Sequence, residues 1–174
     1  MMTPVPTFDE LLDSAQESAV HLEMRDWYAA AGEQEDFALF RAGTWTLDNG
    51  RSMLADWLSL VERTVKRGVV VRRARVVSEP VTEYIKYEHA LSPLNIEAGE
   101  QVRWLPRRRA SDISLPGNDF WLIDGKAVLF NHFTGDGQIS TPKTFTHEAS
   151  VASLCGTAFE YVWERATPHD QYNV

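Results

Sequence analysis

Apolar residues along this chain recur at two spacings, near 3.6 and at 2, and the switches between them predict its elements. Thr7 opens T-F-D-E, a capping-box pattern with Glu10 three positions on. Phe8, Leu11, Leu12, Ala15, Ala19 and Leu22 then follow at helical spacing and predict a helix from Phe8 to about Met24. A short helix is predicted over Glu33 to Ala42, with Phe37, Leu39 and Phe40 inward and Gly43 as its stop. Trp45 and Leu47 read as a strap against the core. Residues 51–67 carry the clearest helical stripe: Met53, Leu54, Trp57, Leu58, Val61 and Val65. Lys66 and Arg67 suit the negative end of its dipole, and Gly68 closes it.

The spacing then changes. Val69 to Val77 is β-branched and short enough for a strand. Ser78-Glu79-Pro80 reads as a helix start, with Ser78 as N-cap and Pro80 in the first turn. Val81, Tyr84, Ile85 and His89 share its face to Leu91, and Pro93 ends it, with one more turn to Glu97. Gln101 to Leu105 is a second strand, and residues 106–117 are loop. Asp119–Ile123 and Ala127–Phe133 form a hairpin turned at Asp124-Gly125. T-G-D-G-Q-I-S-T-P-K-T reads as loop. A last helix runs from about Glu148 to Arg165, with Val151, Leu154, Cys155, Ala158, Phe159 and Val162 inward. Pro168 ends it, and the tail frays.

This order predicts a single α/β (α+β) domain over residues 1–174. It consists of a flexible tail (1–6), a helical part (7–67), a β-α-β-β core (69–133) and a C-terminal helix (148–166). The sheet is expected to be mixed, with four or five strands, and the unit at 69–105 to be a right-handed parallel crossover.

Composition adds modestly to this. The chain has 174 residues, 44% hydrophobic and 24% charged, enough for one well-buried core. No apolar run approaches the roughly 20 residues that span a bilayer. The start, M-M-T-P-V-P-T-F-D-E-L-L, lacks a secretion-signal pattern. The lone Cys155 cannot make an internal disulfide. A cytoplasmic protein without membrane association is expected.

Charge is distributed unevenly. Of the net −8, residues 1–65 contribute −8, residues 66–126 contribute +3, and the rest is mildly acidic. The global sign argues against direct nucleic-acid binding, since phosphate repels such a molecule at long range. The central segment, Lys66 to Arg109, remains a local basic exception.

Several runs resemble a known family. They are R-V-V-S-E-P and Y-I-K-Y-E within 75–88, N-I-E-A-G-E-Q-V-R-W-L-P-R-R-R-A at 95–110, L-P-G-N-D-F-W-L-I-D at 115–124, L-F-N-H-F at 129–133 and A-T-P-H at 166–169. Together they resemble an actinobacterial domain-of-unknown-function family, numbered six-eight-seven-nine, across nearly the whole chain. The resemblance implies a stand-alone protein encoded near helix-turn-helix regulators, and it transfers no functional residues. The element order, with W-L-I-D-G-K-A-V on the hairpin, also looks like a phospholipase D-like half domain. Enzymes of that superfamily need a His-x-Lys pair and a downstream Asp. Here His21, His89, His132, His147 and His169 are followed two positions on by Glu23, Leu91, Thr134, Ala149 and Gln171, so the motif does not occur.

Other chemistry finds little support. No phosphate-loop or dinucleotide fingerprint is present, and Gly135 and Gly137 precede loop rather than a helix. Scattered histidines and one cysteine offer no metal spacing, so no metal and no cofactor are expected. Cys155 reads as inert core.

The arginines are the best candidates. Arg73 and Arg75 share one face of the first strand and Arg72 the other, and Glu79, Glu83 or Glu88 are within reach as partners. Arg103 lies on the second strand, and Arg107, Arg108 and Arg109 follow it. Together with Ser78 and Glu79 they would meet at the carboxyl edge of the sheet, where open α/β sheets bind ligands. Asp119, Trp121 and His132 on the hairpin complete the candidate set. Two explanations stay open: an anion or acidic-partner site, and plain internal ion pairing.

The expected function is non-enzymatic regulation or interaction through that edge. The expected partners are a helix-turn-helix transcription regulator or another protein, a small anion, or a second copy in a homodimer. The alternative is an enzyme for a phosphorylated or nucleotide-like substrate, with Arg75, Arg107 and His132 at its site and Glu79 or Asp119 as its acid–base group.

Overall fold

The computed structural model describes residues 4–174. The tail expected over 1–6 lies partly outside those residues. Val70–Val77 forms β2, flanked in the sheet by β1 (Ser18–Glu23) and β3 (Gln101–Pro106). These three run parallel, as the crossover pattern predicts for β2 and β3. Antiparallel strands extend both sides: β4 (Phe120–Ile123), β5 (Ala127–Phe133) and β6 (Ile139–Thr146) beyond β1, and β7 (Thr167–Pro168) beyond β3. The order is β6-β5-β4-β1-β2-β3-β7. The mixed α/β class is as expected, and seven strands replace the predicted four or five.

One face of the sheet is covered by α6 (Ala149–Arg165). Its Ala152, Cys155, Phe159 and Val162 pack on Val20, Leu22, Ala74, Val76, Phe120 and Leu122. Cys155 is fully buried, and burial pushes its thiol up to about 11. Leu154, expected inward, is half exposed. The other face carries the remaining helices: α1 (Phe8–Ser14), α2 (Gln34–Arg41), α3 (Leu47–Met53), α4 (Ala55–Lys66) and α5 (Glu83–Glu97).

Several sequence readings change. The helix predicted over 8–24 stops at Ser14, and Ser18–Glu23 becomes strand β1. The Asp124 carboxylate at the hairpin turn accepts N–H bonds from Gln16, Glu17 and Ser18, at 2.8–3.2 Å. The segment is thereby held extended between β2 and β4, whose ladders satisfy its backbone. Second, Ser78 caps no helix. Its N–H and hydroxyl both go to the Asp26 carboxylate, at 2.7 and 2.6 Å. Thr82 caps α5 instead, accepting from the Ile85 N–H at 3.1 Å. Helix α5 runs on through Pro93 to Glu97, because Leu91 and Leu94 on either side are buried.

Third, the stretch read as loop after β5 contains β6, which pairs Phe145 with Leu129 and Thr146 with Val128. Fourth, the tail docks rather than frays. The Tyr172 ring stacks on Trp104 at 5.7 Å, and its carbonyl meets His89 Nε2 at 2.9 Å. The 51–67 helix is divided at Leu54 into α3 and α4, and a Cβ on Gly50 within α3 would fall 2.5 Å from the Leu91 side chain and 2.9 Å from the Trp45 ring. Trp45 packs on Phe40 and Tyr87, as a strap would, while Leu47 is largely exposed.

Asp124 is therefore expected to hold β1 in place. Asn tolerates the same left-handed backbone (φ 50°), so Asp124→Asn isolates the loss of the carboxylate. Urea denaturation is expected to show a loss of about 1–3 kcal/mol, the cost of a weakened charged acceptor. An unchanged midpoint would remove this role.

Candidate functional site

Alternation along β1 and β2 sends Ala19, His21 and Glu23, and Val71, Arg73 and Arg75, to the helix-rich face. There the helical layer does not close completely. A cavity of about 270 Å³ remains between the carboxyl ends of β1 and β2, helices α4 and α5, and the segment 28–33. His21, Glu23, Arg73 and Arg75 form its floor. Tyr84, Glu88 and Asn95 come from α5, Trp57 from α4, and Tyr28 and Glu33 from the connecting segment. Asp119, Asn131 and Phe133 enter from the hairpin side.

The floor is a chain of buried ion pairs. Arg73 binds Glu100 at 2.8 Å and Glu23 at 3.4 Å. Arg75 binds the same Glu23 at 3.0 Å and also Glu88. Arg73 and Arg75 also lie over the rings of Trp57 and Trp104, at 5.8 and 5.5 Å. The two guanidiniums hold Glu23 ionised, its carboxyl lowered to about 2 despite its burial. His21 stacks on Trp121 at 4.3 Å, and burial lowers it to about 3, so it is neutral at physiological pH.

Two other carboxyls go the opposite way. Asp119 is 2% exposed, accepts from the Tyr28 hydroxyl and the Met24 N–H, and is raised by burial to about 6. Glu33 accepts from the Tyr84 hydroxyl at 2.7 Å. Burial and then the nearby Glu88 raise it to about 8. Three buried polar atoms of the cavity lining have no hydrogen-bond partner within the protein: His21 Nδ1, Asn131 Oδ1 and Arg75 Nε, the last within ion-pair distance of Glu23 at 3.0 Å. Such atoms ordinarily cost stability and call for an explanation.

The turn after β5 adds Gly137, and the start of β6 adds Ile139, to the cavity lining. The turn between β5 and β6 is latched to the 25–29 segment by Ala29 N–H to the Gly137 carbonyl (2.9 Å) and Trp27 Nε1 to the Asp136 carbonyl (3.3 Å). Gly137, with φ +86°, sits so close to Trp27 that a Cβ would fall 2.7 Å from its ring. Of the two glycines that a phosphate loop would have needed, Gly137 is the one with this role.

Of the ten residues singled out from sequence, Arg75 and Asp119 line this cavity, and Trp121 lies directly beneath His21. The others sit elsewhere. Arg107 donates to Ser78 Oγ and to the Met24 and Val76 carbonyls, and lies 3.7 Å from Asp26. Arg108 pairs with Glu79 at 3.2 Å, and Glu79 also accepts from the Tyr172 hydroxyl. Arg103 donates to the Trp163 carbonyl and covers its ring. The Arg109 carbonyl accepts from Arg165. His132 bonds Thr144 Oγ1 at 2.8 Å, on β5 but outside the cavity lining.

Sequence reasoning missed Glu23, His21, Tyr28 and Glu33. The signal for the first two was present, since Val20 and Leu22 alternate with His21 and Glu23 at period 2. Arg73 was placed on the correct face but left out of the site. Among the described residues no three His, Cys, Asp or Glu side chains converge to hold a metal ion. No helix among them is long and apolar enough to cross a membrane.

The architecture is that of a phospholipase D-like fold. It is similar to the crystal structure of NUC, a phospholipase D family member from Salmonella typhimurium, with a TM-score of 0.52 and 13% identity over 94% of this chain and 86% of that one. It also overlaps TrmBL2, an archaeal chromatin protein, with a TM-score of 0.48 and 13% identity, covering 91% of this chain. This chain spans about half of that protein, 47% of its length. Residues 6–174 match a family described as a domain of unknown function (DUF6879), and the chain belongs to that family. No functionally curated protein matches its sequence. A likeness of fold at such identity carries shape and not chemistry. Of the histidines only His21 lines the cavity, and two positions on stands Glu23, not the lysine of the phospholipase D His-x-Lys pair.

The shifted groups set a pH dependence. Glu33 and Asp119 have raised values, so the stability they contribute is present at low pH and lost as pH rises, through about 8 for Glu33 and about 6 for Asp119. His21 and Glu23 have lowered values, so their contribution is lost as pH falls. Above 6.5, the ordinary value for His21, Glu33 is the one of these four still titrating. The melting temperature is therefore expected to fall between about pH 6.5 and about pH 8.5, and Glu33→Gln to flatten that fall. Parallel curves for the two proteins in differential scanning fluorimetry would rule Glu33 out as the cause.

Proposed function

We propose that this protein is a non-enzymatic binding protein for a small molecule, and that the ligand occupies the cavity over Glu23, Arg73 and Arg75. The arginine-rich edge inferred from sequence is a weaker candidate, because Arg103, Arg107 and Arg108 are already engaged by carbonyls and carboxylates. One observation carries the reading: Asn131 and His21, 6% and 7% exposed, line the cavity with polar atoms that the protein itself leaves unmet. A ligand hydrogen bond offsets that cost, and sites of this kind combine an apolar wall with a few convergent polar groups. Tyr28, Trp57, Tyr84 and Phe133 supply the wall.

The alternative, an enzyme, draws its support from carboxyls held at different protonation in one cavity, with Glu23 ionised and Glu33 and Asp119 shifted upward. On that reading Asp119 takes the acid–base role and His132 none.

Asn131→Leu tests the binding reading. Removing an unmet polar atom is expected to leave the protein as stable as before, or more stable by up to about 2 kcal/mol. It should also weaken binding of compounds found by thermal-shift screening of small amines, alcohols, carboxylates and phosphates by about tenfold, the loss of one good hydrogen bond. A variant that unfolds, or one that binds the same compounds equally well, would show that Asn131 serves the fold. Chemical change of a bound compound, read by mass spectrometry, would favour the enzyme.

A further inference from the structure

The charges that line the cavity are unequal. Glu23, Glu33, Glu88 and Asp119 face two cations, Arg73 and Arg75. Both arginines are already shared among carboxylates, Arg73 by Glu100 and Glu23, Arg75 by Glu23 and Glu88. An entering anion would have to displace a buried carboxylate from its guanidinium, and breaking such a pair costs several kcal/mol. The carboxyls of Glu33 and Asp119, by contrast, meet tyrosine hydroxyls, with no arginine or lysine in an ion pair on either. The atom left unmet on Asn131 is its amide oxygen, an acceptor. The aromatic wall of Tyr28, Tyr84, Trp57 and Phe133 offers π faces, which attract cations when water is excluded.

Resting on the cavity reading above, we propose that the ligand is a cation: a primary or secondary ammonium carried on a flat apolar body, held by Glu33 with the Asn131 amide oxygen as a further acceptor. The apolar body lies along Trp57, Leu54 and Leu91. Burial, and then Glu88, oppose a charge on Glu33 more than the Tyr84 hydroxyl and Arg75 favour it, so its carboxyl is raised to about 8. The ammonium takes the place of the carboxyl proton. Tyr84 and Tyr28 stay neutral, their hydroxyls donating to Glu33 and Asp119, and His21 stays neutral beside Glu23. Two cations outside the lining still act on it: Lys143, over the Phe8 ring, on His21, and Arg25, over Phe133, on Asp119. Binding therefore releases a proton and strengthens as pH rises.

Three probes of one shape test this: phenethylamine, phenethyl alcohol and phenylpropionate, each titrated against the full chain by thermal shift and calorimetry. The amine is expected to bind best and the acid worst. Amine affinity should rise severalfold from about pH 6.5 to about pH 8.5, with tenfold per unit as the ceiling for one released proton. Glu33→Gln, which keeps an acceptor for Tyr84, should lower amine affinity about tenfold, remove its pH dependence and leave the alcohol unchanged. If the acid binds best, or the alcohol equals the amine, the charge preference is overturned while the cavity reading stands. Silence from all three probes at their solubility limits overturns both.

Discussion

The structure depends on two arginines placed on β2, the middle of the three parallel strands. Arg73 and Arg75 point to the face that the helical layer must cover, and a guanidinium cannot be buried there without carboxylates. Glu23 answers from β1, in register opposite Arg75, Glu88 answers from α5, and Glu100 answers from just before β3. One chain of charges thus ties together four segments that lie up to 77 positions apart. Replacing all of it with apolar residues need not weaken the fold, whereas removing one member strands a buried charge. Its clearest consequence is registration: slipping β1 by one residue against β2 would turn Glu23 to the opposite face and leave both arginines short of a partner.

The same ion-pair chain accounts for the cavity. Apolar helices close tightly over apolar strands, as α6 does on the other face with Phe159 and Val162. Over the charged floor they cannot, and space remains between Trp57, Tyr84 and the carboxyl ends of β1 and β2. Burial then acts on each ionisable group according to its neighbours. Glu23 lies between two guanidiniums and stays charged, while Glu33 and Asp119 meet hydroxyls and hold their protons more tightly. On the proposal made above, this pattern is what turns the expected ligand from an anion, as the arginines along the sequence implied, to a cation.

Much of the frame was legible in the sequence, and the reasons are local. The run Val70–Val77, the Asp124-Gly125 turn and the stripe Cys155, Phe159, Val162 each carry their signal within a few residues, and all three form as read. Ser78 was misread because Ser-Glu-Pro is a sound helix start whenever no stronger acceptor is near. Here Asp26, 52 positions away, takes both of its donors. The segment Ser18–Glu23 was misread for a related reason. Its apolar spacing fits a helix and a strand alike, and the choice was made by Asp124 and two neighbouring strands.

The sequence by itself therefore determined the mixed α/β class, the parallel pairing of the two arginine- and valine-rich strands, the hairpin and the C-terminal helix. Periodicity, capping and turn chemistry act over short stretches of chain and can be read from them. Only the tertiary structure decided which arginines were already neutralised, which carboxyls kept their protons, and where an open space remained. Those outcomes depend on which distant side chains share a buried volume, and an arginine looks the same in a sequence whether it faces water, a carbonyl or a carboxylate. The basic segment from Lys66 to Arg109 is basic in composition, but the cavity beneath it is acidic in its balance, because its partners arrive from residues 23, 33 and 119.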